Sequence, residues 1–291
     1  MALTEVYWDH HIPLPKLAPV QAKVTVALVA LLCFINSYDG DFVFDDSEAI
    51  VNNKDLRPAT PLNNIWSNDF WGTNLSSNSS HKSYRPLTVL TFRLNYLVAG
   101  GLHPVGFHVL NIILHAVISA LMIDVFAVLI GGLAYDEKGR ILNHAPKTSL
   151  LAAIFFAAHP VHTESVAGIV GRADLLCALF FQLSFLTYCK AFNKGRYLTR
   201  VLLFRYTVIL YCTKRFPYVT GIKTLSICQH SMHLSEHLHF NPFLSLTSVV
   251  LALCSQGVTE MTGFLSSGLW SASCCVLQQC SVKNKASLSW V

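Results

Sequence analysis

Five acidic side chains lie within ten residues, in the segment 39–48 that directly follows the first apolar stretch of the chain. They are Asp39, Asp41, Asp45, Asp46 and Glu48. Carboxylates that are close together repel one another, and the neighbouring segment 42–44 (Phe-Val-Phe) reduces their hydration. Both effects raise carboxylate pKa values, as a general base or acid requires. The alternative interpretation is a solvated acidic turn just outside a membrane.

A second group of reactive side chains lies far along the chain, in residues 159–174. It contains His159, His162, Glu164, Arg172 and Asp174. Imidazole and guanidinium groups are suited to binding phosphate and other anions. The other interpretation is structural, with Glu164 and Asp174 pairing with Arg172 to clamp a loop.

Together the two groups suit the transfer of a sugar from a lipid-linked phosphate donor to a hydroxyl. Asp45 or Asp46 would take the proton of the attacking hydroxyl, and positioned base catalysis contributes roughly 10²–10⁴-fold. Arg172, helped by His159 or His162, would stabilise the departing phosphate. Glu48, Glu164, Asp174 and His108 are candidate supporting residues. This chemistry requires no metal and no cofactor.

The composition indicates a membrane protein. Hydrophobic residues make up 53% of the chain and charged residues only 13%, and the mean hydropathy is +0.45. Soluble domains carry about 25% charged residues. The net charge of +5 is spread over the chain without a Lys/Arg run, which argues against nucleic-acid binding. Nine cysteines form no C-x-x-C pair, so they are expected to be buried single thiols.

Four apolar stretches predict four membrane crossings, at residues 19–38, 105–129, about 146–161 and 175–192. The first is predicted to be an uncleaved signal anchor after a cytosolic segment 1–18, with a cleaved signal peptide as the rival interpretation. The third is short, so a re-entrant segment is an alternative. Basic residues after the second and fourth stretches favour the cytosol there. Residues 39–104 and about 160–174 then share the luminal face, where a site could form between them.

Polar residues recur at helical spacing in the second span: His108, Asn111, His115 and Ser119. Lipid cannot satisfy these groups, so this face is predicted to turn toward other helices or a cavity. In the luminal loop 39–104, Asn74 and Asn78 begin N-x-S triplets and are candidate glycosylation acceptors. Trp66, Phe70 and Trp71 in the same loop are candidate contacts of an amphipathic helix with the membrane surface.

Four stretches of sequence carry a resemblance to a known family. They are residues 37–53 (SYDGDFVFDDSEAIVNN), 84–88 (YRPLT), 103–108 (HPVGFH) and 159–176 (HPVHTESVAGIVGRADLL). Over about residues 1–193 the chain resembles the transmembrane and tetratricopeptide-repeat proteins, the O-mannosyltransferases that target cadherins. The resemblance implies an all-α, multi-span membrane protein of the endoplasmic reticulum, with the N-terminal part of the GT-C glycosyltransferase fold in residues 19–193. It also implies mannose transfer from dolichyl phosphate mannose to Ser/Thr of cadherin-type domains. A first-loop carboxylate would act as the base, at Asp45 or Asp46.

The chain also departs from the family's pattern. Members continue through further spans and a luminal array of tetratricopeptide repeats, whereas residues 194–291 are weakly apolar and carry no such repeats. We therefore expect an incomplete donor pocket, which leaves the activity of this chain open. The alternative hypothesis is a noncatalytic truncated membrane isoform that binds family partners or chaperones. The histidine-rich patch at residues 229–239 is expected to be a polar connector rather than a metal site.

Overall fold

The structure is a computed structural model that describes residues 7–137 and 140–192. In this part of the chain the regular structure is helical, apart from the isolated bridges Asn68–Asn74 and Tyr135–Ile141. The α-helices are α1 (Pro19–Phe34), α2 (Asn64–Ser67), α3 (Pro86–Ala99), α4 (Pro104–Gly131), α5 (Pro146–Ala158), α6 (Thr163–Ala167) and α7 (Arg172–Phe192). The predicted tail, residues 194–291, lies outside the described residues.

Among residues 7–137 and 140–192, two helices are long and apolar enough to cross a membrane. They are α1, with its 3₁₀ extension to Ser37, and α4, whose 28 residues extend about 42 Å at about 1.5 Å per residue. Each begins with a proline, which has no N–H to leave unpaired and a backbone angle suited to a first helical turn. Their positions match the first two predicted crossings.

The third predicted crossing is broken. Helix α5 and the following helical segment Pro160–Ala167, which includes α6, make an angle of 43° with each other. They are long and apolar enough for one span only if they are counted together. The break follows from the sequence, because a residue before proline avoids the helical conformation and His159 before Pro160 is extended (φ −68°, ψ 128°). The fourth predicted crossing falls on α7. The described residues thus provide two candidate spans, or three with the bent pair, and α7 is not among them.

Helices α1, α4 and α5 pack through small side chains. Ala22, Val26 and Ala30 of α1 meet Ala116 of α4 and Ala153 of α5 in one buried cluster. Alanines let helix backbones approach closely, which is a major source of helix association in lipid. A Lys23–Asp124 ion pair, with 2.6 Å between Nζ and Oδ2, joins α1 to α4 at one end of this bundle. We call the opposite end, where α1 ends and α4 and α7 begin, the motif end.

The segment between α1 and α4 forms its own apolar core, which covers part of the motif end. Ile50, Leu56, Ile65 and Phe70 are 0–2% exposed there and pack with the first residues of α3 and α4. The expectation that Phe70 touches the membrane surface is therefore wrong, because its ring is fully buried. Trp66 is 50% exposed, as a surface contact requires.

Candidate active site

The two motif stretches touch each other at the motif end, as the sequence predicts. The Asp46 carboxylate accepts a hydrogen bond from the backbone N–H of Val170, 124 residues away, with 3.1 Å between N and Oδ1. Its second oxygen, Oδ2, accepts from the N–H of Val43 at 3.0 Å. One side chain thus closes its own turn and ties that turn to the loop before α7.

Asp46 is only 2% exposed. Burial raises the pKa of this carboxyl group above its ordinary value, since a charge is poorly solvated there. The two backbone hydrogen bonds and nearby His108 lower the pKa, while Asp45 adds to the rise, and burial outweighs the lowering effects. The predicted raised carboxyl pKa in the acidic stretch is therefore confirmed at Asp46.

Asp45 points the other way, into solvent, and is exposed. The turn that leads into the two aspartates is unusual, because Phe44 has a left-handed backbone (φ 48°) that non-glycine residues rarely adopt. A short π-helical turn, Ser47–Val51, follows directly, and the N–H of Ala49 donates to the carbonyl oxygen of Asp45. The backbone is thereby held at Asp45, whose carboxylate is exposed.

His108 lies under the acidic turn and is 3% exposed. A β-carbon added at Gly40 would come within 2.9 Å of the His108 Nε2 atom. This close approach explains why glycine fits at the start of the acidic stretch. The other polar residues of the same α4 face, Asn111, His115 and Ser119, are 0–1% exposed. The prediction that this face turns inward is confirmed.

Two of these α4 residues form interhelical hydrogen bonds. The Asn111 amide donates to the carbonyl oxygen of Gly168 at 3.1 Å, and it lies 3.4 Å from the carbonyl oxygens of Val166 and Ile169. The His115 ring nitrogen Nε2 lies 3.1 Å from the carbonyl oxygen of Ala157. Asn111 and His115 thus bind the backbone of the segment that carries the second motif.

Arg172, the first residue of α7, is 0% exposed. Its guanidinium donates to the Asn111 side chain (Nε, 2.9 Å), the Asn95 side chain (Nη1, 2.5 Å) and the carbonyl oxygen of Phe107 (Nη2, 2.8 Å). The group also lies 4.8 Å from the Phe92 ring centroid, within cation–π range. Arg172 therefore joins α3, α4 and α7. Its predicted contact with a donor phosphate stays a prediction, and would require these bonds to rearrange.

His159 and His162 belong to an aromatic cluster at the α5–α6 break. The His162 ring centroid lies 4.5 Å from that of Phe156 and 4.9 Å from that of His115. His159 is exposed, and its Nδ1 accepts the N–H of Val161 at 3.2 Å. A ring nitrogen that accepts a hydrogen bond carries no proton, so the ring N–H of His159 is on Nε2.

The remaining predicted residues lie on the surface. Glu48, Glu164 and Asp174 are exposed, and Glu48 accepts a hydrogen bond from the Asn52 amide at 2.8 Å. Asn74 and Asn78 are also exposed, as glycosylation acceptors must be. Within residues 7–137 and 140–192, no three His, Cys, Asp or Glu side chains are grouped so that they could hold a metal ion.

Sequence reasoning missed the backbone partners of the site. The amide of Val170 carries no side-chain chemistry, and Asn95 stands in an ordinary apolar run. A usable indicator was the pair of glycines in residues 168–171. A β-carbon at Gly171 would lie 2.6 Å from the Ser165 backbone, so the turn that presents Val170 to Asp46 is closed to larger residues.

The buried polar bundle and its apolar helices define a helical membrane protein. The family to which the relatives below belong is of the GT-C glycosyltransferase type. Over 195 residues the chain is 68% identical to the human protein O-mannosyl-transferase TMTC4. The matched region covers 67% of the chain and 26% of the relative. The mouse TMTC4 is 68% identical over 186 residues, covering 64% of the chain and 25% of the relative. Mouse protein O-mannosyl-transferase TMTC3 is 42% identical over 217 residues, a region that covers 73% of the chain and 22% of the relative.

These identities confirm the resemblance to the O-mannosyltransferase family, which is a family of enzymes. The chain spans about a quarter of the length of the TMTC4 relatives that it matches. No family model and no solved structure matches it.

Proposed function

We propose that the motif end is the catalytic face of a protein O-mannosyltransferase of the endoplasmic reticulum membrane. The enzyme would transfer mannose from dolichyl phosphate mannose to Ser/Thr of cadherin-type domains. Support comes from the relatives, which are named protein O-mannosyl-transferases. The observation that carries the proposal is the hydrogen bond that Val170 N–H donates to Asp46, because it holds the acidic turn with exposed Asp45 against the second motif stretch at Val170.

Asp45 is the general base in this proposal. The acceptor hydroxyl gives its proton to the Asp45 carboxylate while its oxygen forms a bond to C1 of mannose. The bond between C1 and the phosphate oxygen breaks, and dolichyl phosphate leaves as an anion. Asp46 is a positioning residue, since both its oxygens are engaged by backbone N–H groups and its side chain is buried.

His159 is the most accessible donor for the departing phosphate. Its N–H is on Nε2 because Nδ1 accepts a hydrogen bond, and hydrogen bonds to a developing anion are a strong source of catalysis. His162 is half-buried within the aromatic cluster and fixes the course of the loop beside His159. Arg172 contributes by holding the three helices that carry these loops.

The test is a transfer assay with two variants of the purified, reconstituted chain. Mannose transfer from dolichyl phosphate mannose to a cadherin-type domain is expected to fall about 10²-fold or more in Asp45→Asn, in line with loss of a general base. Asp39→Asn, the same change at another exposed aspartate of the acidic stretch, is the matched control and should retain activity. Full activity in Asp45→Asn would refute the assignment. The same change at the matching aspartate of human TMTC4 repeats the test in a longer chain.

A second candidate is a noncatalytic membrane chain that binds family partners or chaperones. The observation that favours it is the engagement of the Arg172 guanidinium by protein groups, which leaves His159 as the exposed member of the predicted phosphate-binding set. This candidate predicts no mannose transfer by the wild-type chain and equal recovery of TMTC4 with wild-type and Asp45→Asn chains. Measurable transfer that depends on Asp45 would reject it.

A further inference from the structure

His108, near the start of α4, is a buried polar side chain without a hydrogen-bond partner among the residues that the structure describes. The residue is 3% exposed, and both ring nitrogens are unpaired. Backbone groups of Gly40, Asp41 and Ala167 lie around the ring, but none of them meets a ring nitrogen at hydrogen-bonding geometry. Unpaired buried polar groups are uncommon in folded proteins, because the lost hydration is not replaced. His108 therefore requires an explanation beyond packing.

The His108 ring lies between the two motif stretches. On the side of the acidic stretch, a β-carbon at Gly40 would come within 2.9 Å of the ring nitrogen Nε2. On the side of the second stretch, the ring faces the backbone of Ala167, the last residue of α6. Three residues further on, the N–H of Val170 donates to Asp46. His108 thus stands at the junction that this hydrogen bond closes.

Asp46 is the buried carboxylate at the same junction. Its two oxygens accept hydrogen bonds from backbone N–H groups, which carry no net charge. A buried carboxylate is stable as an anion only if an opposite charge or strong hydrogen bonds replace its hydration. A positive charge on His108 favours the ionised form of Asp46, whereas the negative charge of Asp45 opposes it. His108 is therefore suited to be the counter-ion of Asp46.

Other charged groups also face these two residues. Asp41 borders the ring through its backbone, and Asp45 is exposed to solvent. From α7, the Arg172 guanidinium donates to the carbonyl oxygen of Phe107, the residue before His108. That guanidinium stays charged throughout the acidic range in which a carboxyl group titrates, so its effect on the junction is constant there. The group whose charge changes beside the buried ring is Asp46.

We propose that His108 is a positioning residue that shares one proton with Asp46, so that the pair holds the acidic turn against the second motif stretch. When the O–H bond of protonated Asp46 breaks, an N–H bond forms on the His108 ring. The resulting imidazolium balances the carboxylate, and the net charge of the pair stays zero. Asp45 follows from the same turn, so His108 would also set the position of the proposed base. This last step rests on the function proposed above, whereas the proton sharing does not.

The experiment follows the infrared band of the protonated Asp46 carboxyl group in the purified full chain. The pH is raised from below the ordinary carboxyl value of 3.8. The band is assigned by its absence from Asp46→Asn. His108→Gln removes the ring but keeps a polar side chain. His103→Gln is the matched control, because His103 is an exposed histidine that immediately precedes the same helix.

The wild-type band is expected to disappear over a broad or two-step pH range, as for a coupled pair of groups. In His108→Gln it should disappear in one step at higher pH, because the cation that favours ionised Asp46 is gone. His103→Gln should behave as wild type. Identical curves for wild type and His108→Gln would overturn the proposal. If His108→Gln does not fold, the wild-type curve decides, since the curve of a single independent carboxyl group would also overturn it.

A transfer assay separates this proposal from the proposed function. The pH dependence of kcat for mannose transfer should shift to higher pH in His108→Gln by the same interval as the band, with KM unchanged. A shifted band with an unshifted pH dependence would overturn the positioning of Asp45 by His108. Absence of transfer in wild type and variants alike, together with the expected band shift, would support the proton-sharing pair and count against the proposed function alone.

Discussion

Replacing Asp46 by Asn tests whether one buried carboxylate joins the two motif stretches. The side chain keeps its shape, but only one of its two outer atoms remains a hydrogen-bond acceptor. The N–H groups of Val43 and Val170 both point at the carboxylate, at 3.0 and 3.1 Å. In the variant one of them therefore faces an NH₂ group, and a buried donor is left without an acceptor.

The magnitude follows from the two bonds and the burial. A hydrogen bond to a charged group contributes about 1.5–3 kcal/mol, and an unsatisfied buried donor costs about 1–3 kcal/mol. The neutral amide avoids the desolvation of a carboxylate, which partly offsets the loss. We expect a net destabilisation of about 1–3 kcal/mol. Removing one buried charge offsets only part of the loss, because the lost hydrogen bond also joins two segments of the chain. Asp45→Asn is the matched control, since an exposed substitution stays within about 0.5 kcal/mol.

The assay is the thermal midpoint of the purified chain in detergent, together with cross-linking between positions 43 and 170. We expect a lower midpoint and weaker cross-linking in Asp46→Asn, and wild-type values in Asp45→Asn. Equal midpoints and equal cross-linking in the two variants would refute the reasoning. The result would then mean that the loop before α7 is held without Asp46.

The difference in stability between the wild-type chain and Asp46→Asn should change with pH in a defined direction. The pKa of Asp46 is raised in the folded chain, so folding favours the protonated carboxyl group. The wild-type chain therefore loses stability as the pH rises from the ordinary value of 3.8 through the raised pKa, a change that Asp46→Asn lacks. The advantage of wild type over variant should be larger below the raised pKa than above it. An advantage that grows with rising pH would contradict the burial argument.

Three further predictions concern other parts of the site. Gly171→Ala should lower the thermal midpoint, because its β-carbon would lie 2.6 Å from backbone atoms, whereas Gly101→Ala, with 3.4 Å to the nearest side-chain atom, should have little effect. Arg172→Lys should also lower the midpoint, since an ammonium cannot reproduce the planar fork that reaches α3 and α4 together; an unchanged midpoint would show that charge alone suffices. Asn74→Gln and Asn78→Gln should each remove one glycan on a gel after expression in cells, and an unglycosylated wild-type chain would contradict a luminal loop.

The helices described above were predictable because the length and spacing of apolar residues in a local stretch determine them. Apolar runs of sufficient length predicted α1 and α4, and a polar spacing of three to four residues predicted which face of α4 turns inward. His108, Asn111 and His115 are all buried on that face. The short apolar run before Pro160 also indicated that the third crossing could be re-entrant rather than one continuous helix.

The contacts that assemble the site were not predictable in the same way. Asp46 binds a backbone N–H, which every residue but proline offers, so Val170 had no distinguishing mark. Arg172 was expected to bind the donor phosphate or to pair with Glu164 and Asp174. Asn95, Asn111 and Phe107 satisfy it from two helices that only the tertiary fold brings together. The location of Phe70 was predicted wrongly because an apolar side chain fits a small protein core and a membrane surface equally well.

Neighbouring carboxylates with opposite surroundings are what the proposed chemistry needs. A base must meet its substrate, so it cannot also be the buried anchor of the loop that carries it. The turn from Val43 to Asp46, with left-handed Phe44 inside it, brings the Asp46 carboxylate back to Val43 and Val170, while Asp45 stays exposed. Replacing Phe44 by Gly should relieve the backbone strain without moving either carboxylate, so the midpoint should hold or rise. If transfer activity nevertheless fell, the exposed Phe44 ring itself would have to contact the donor or the acceptor.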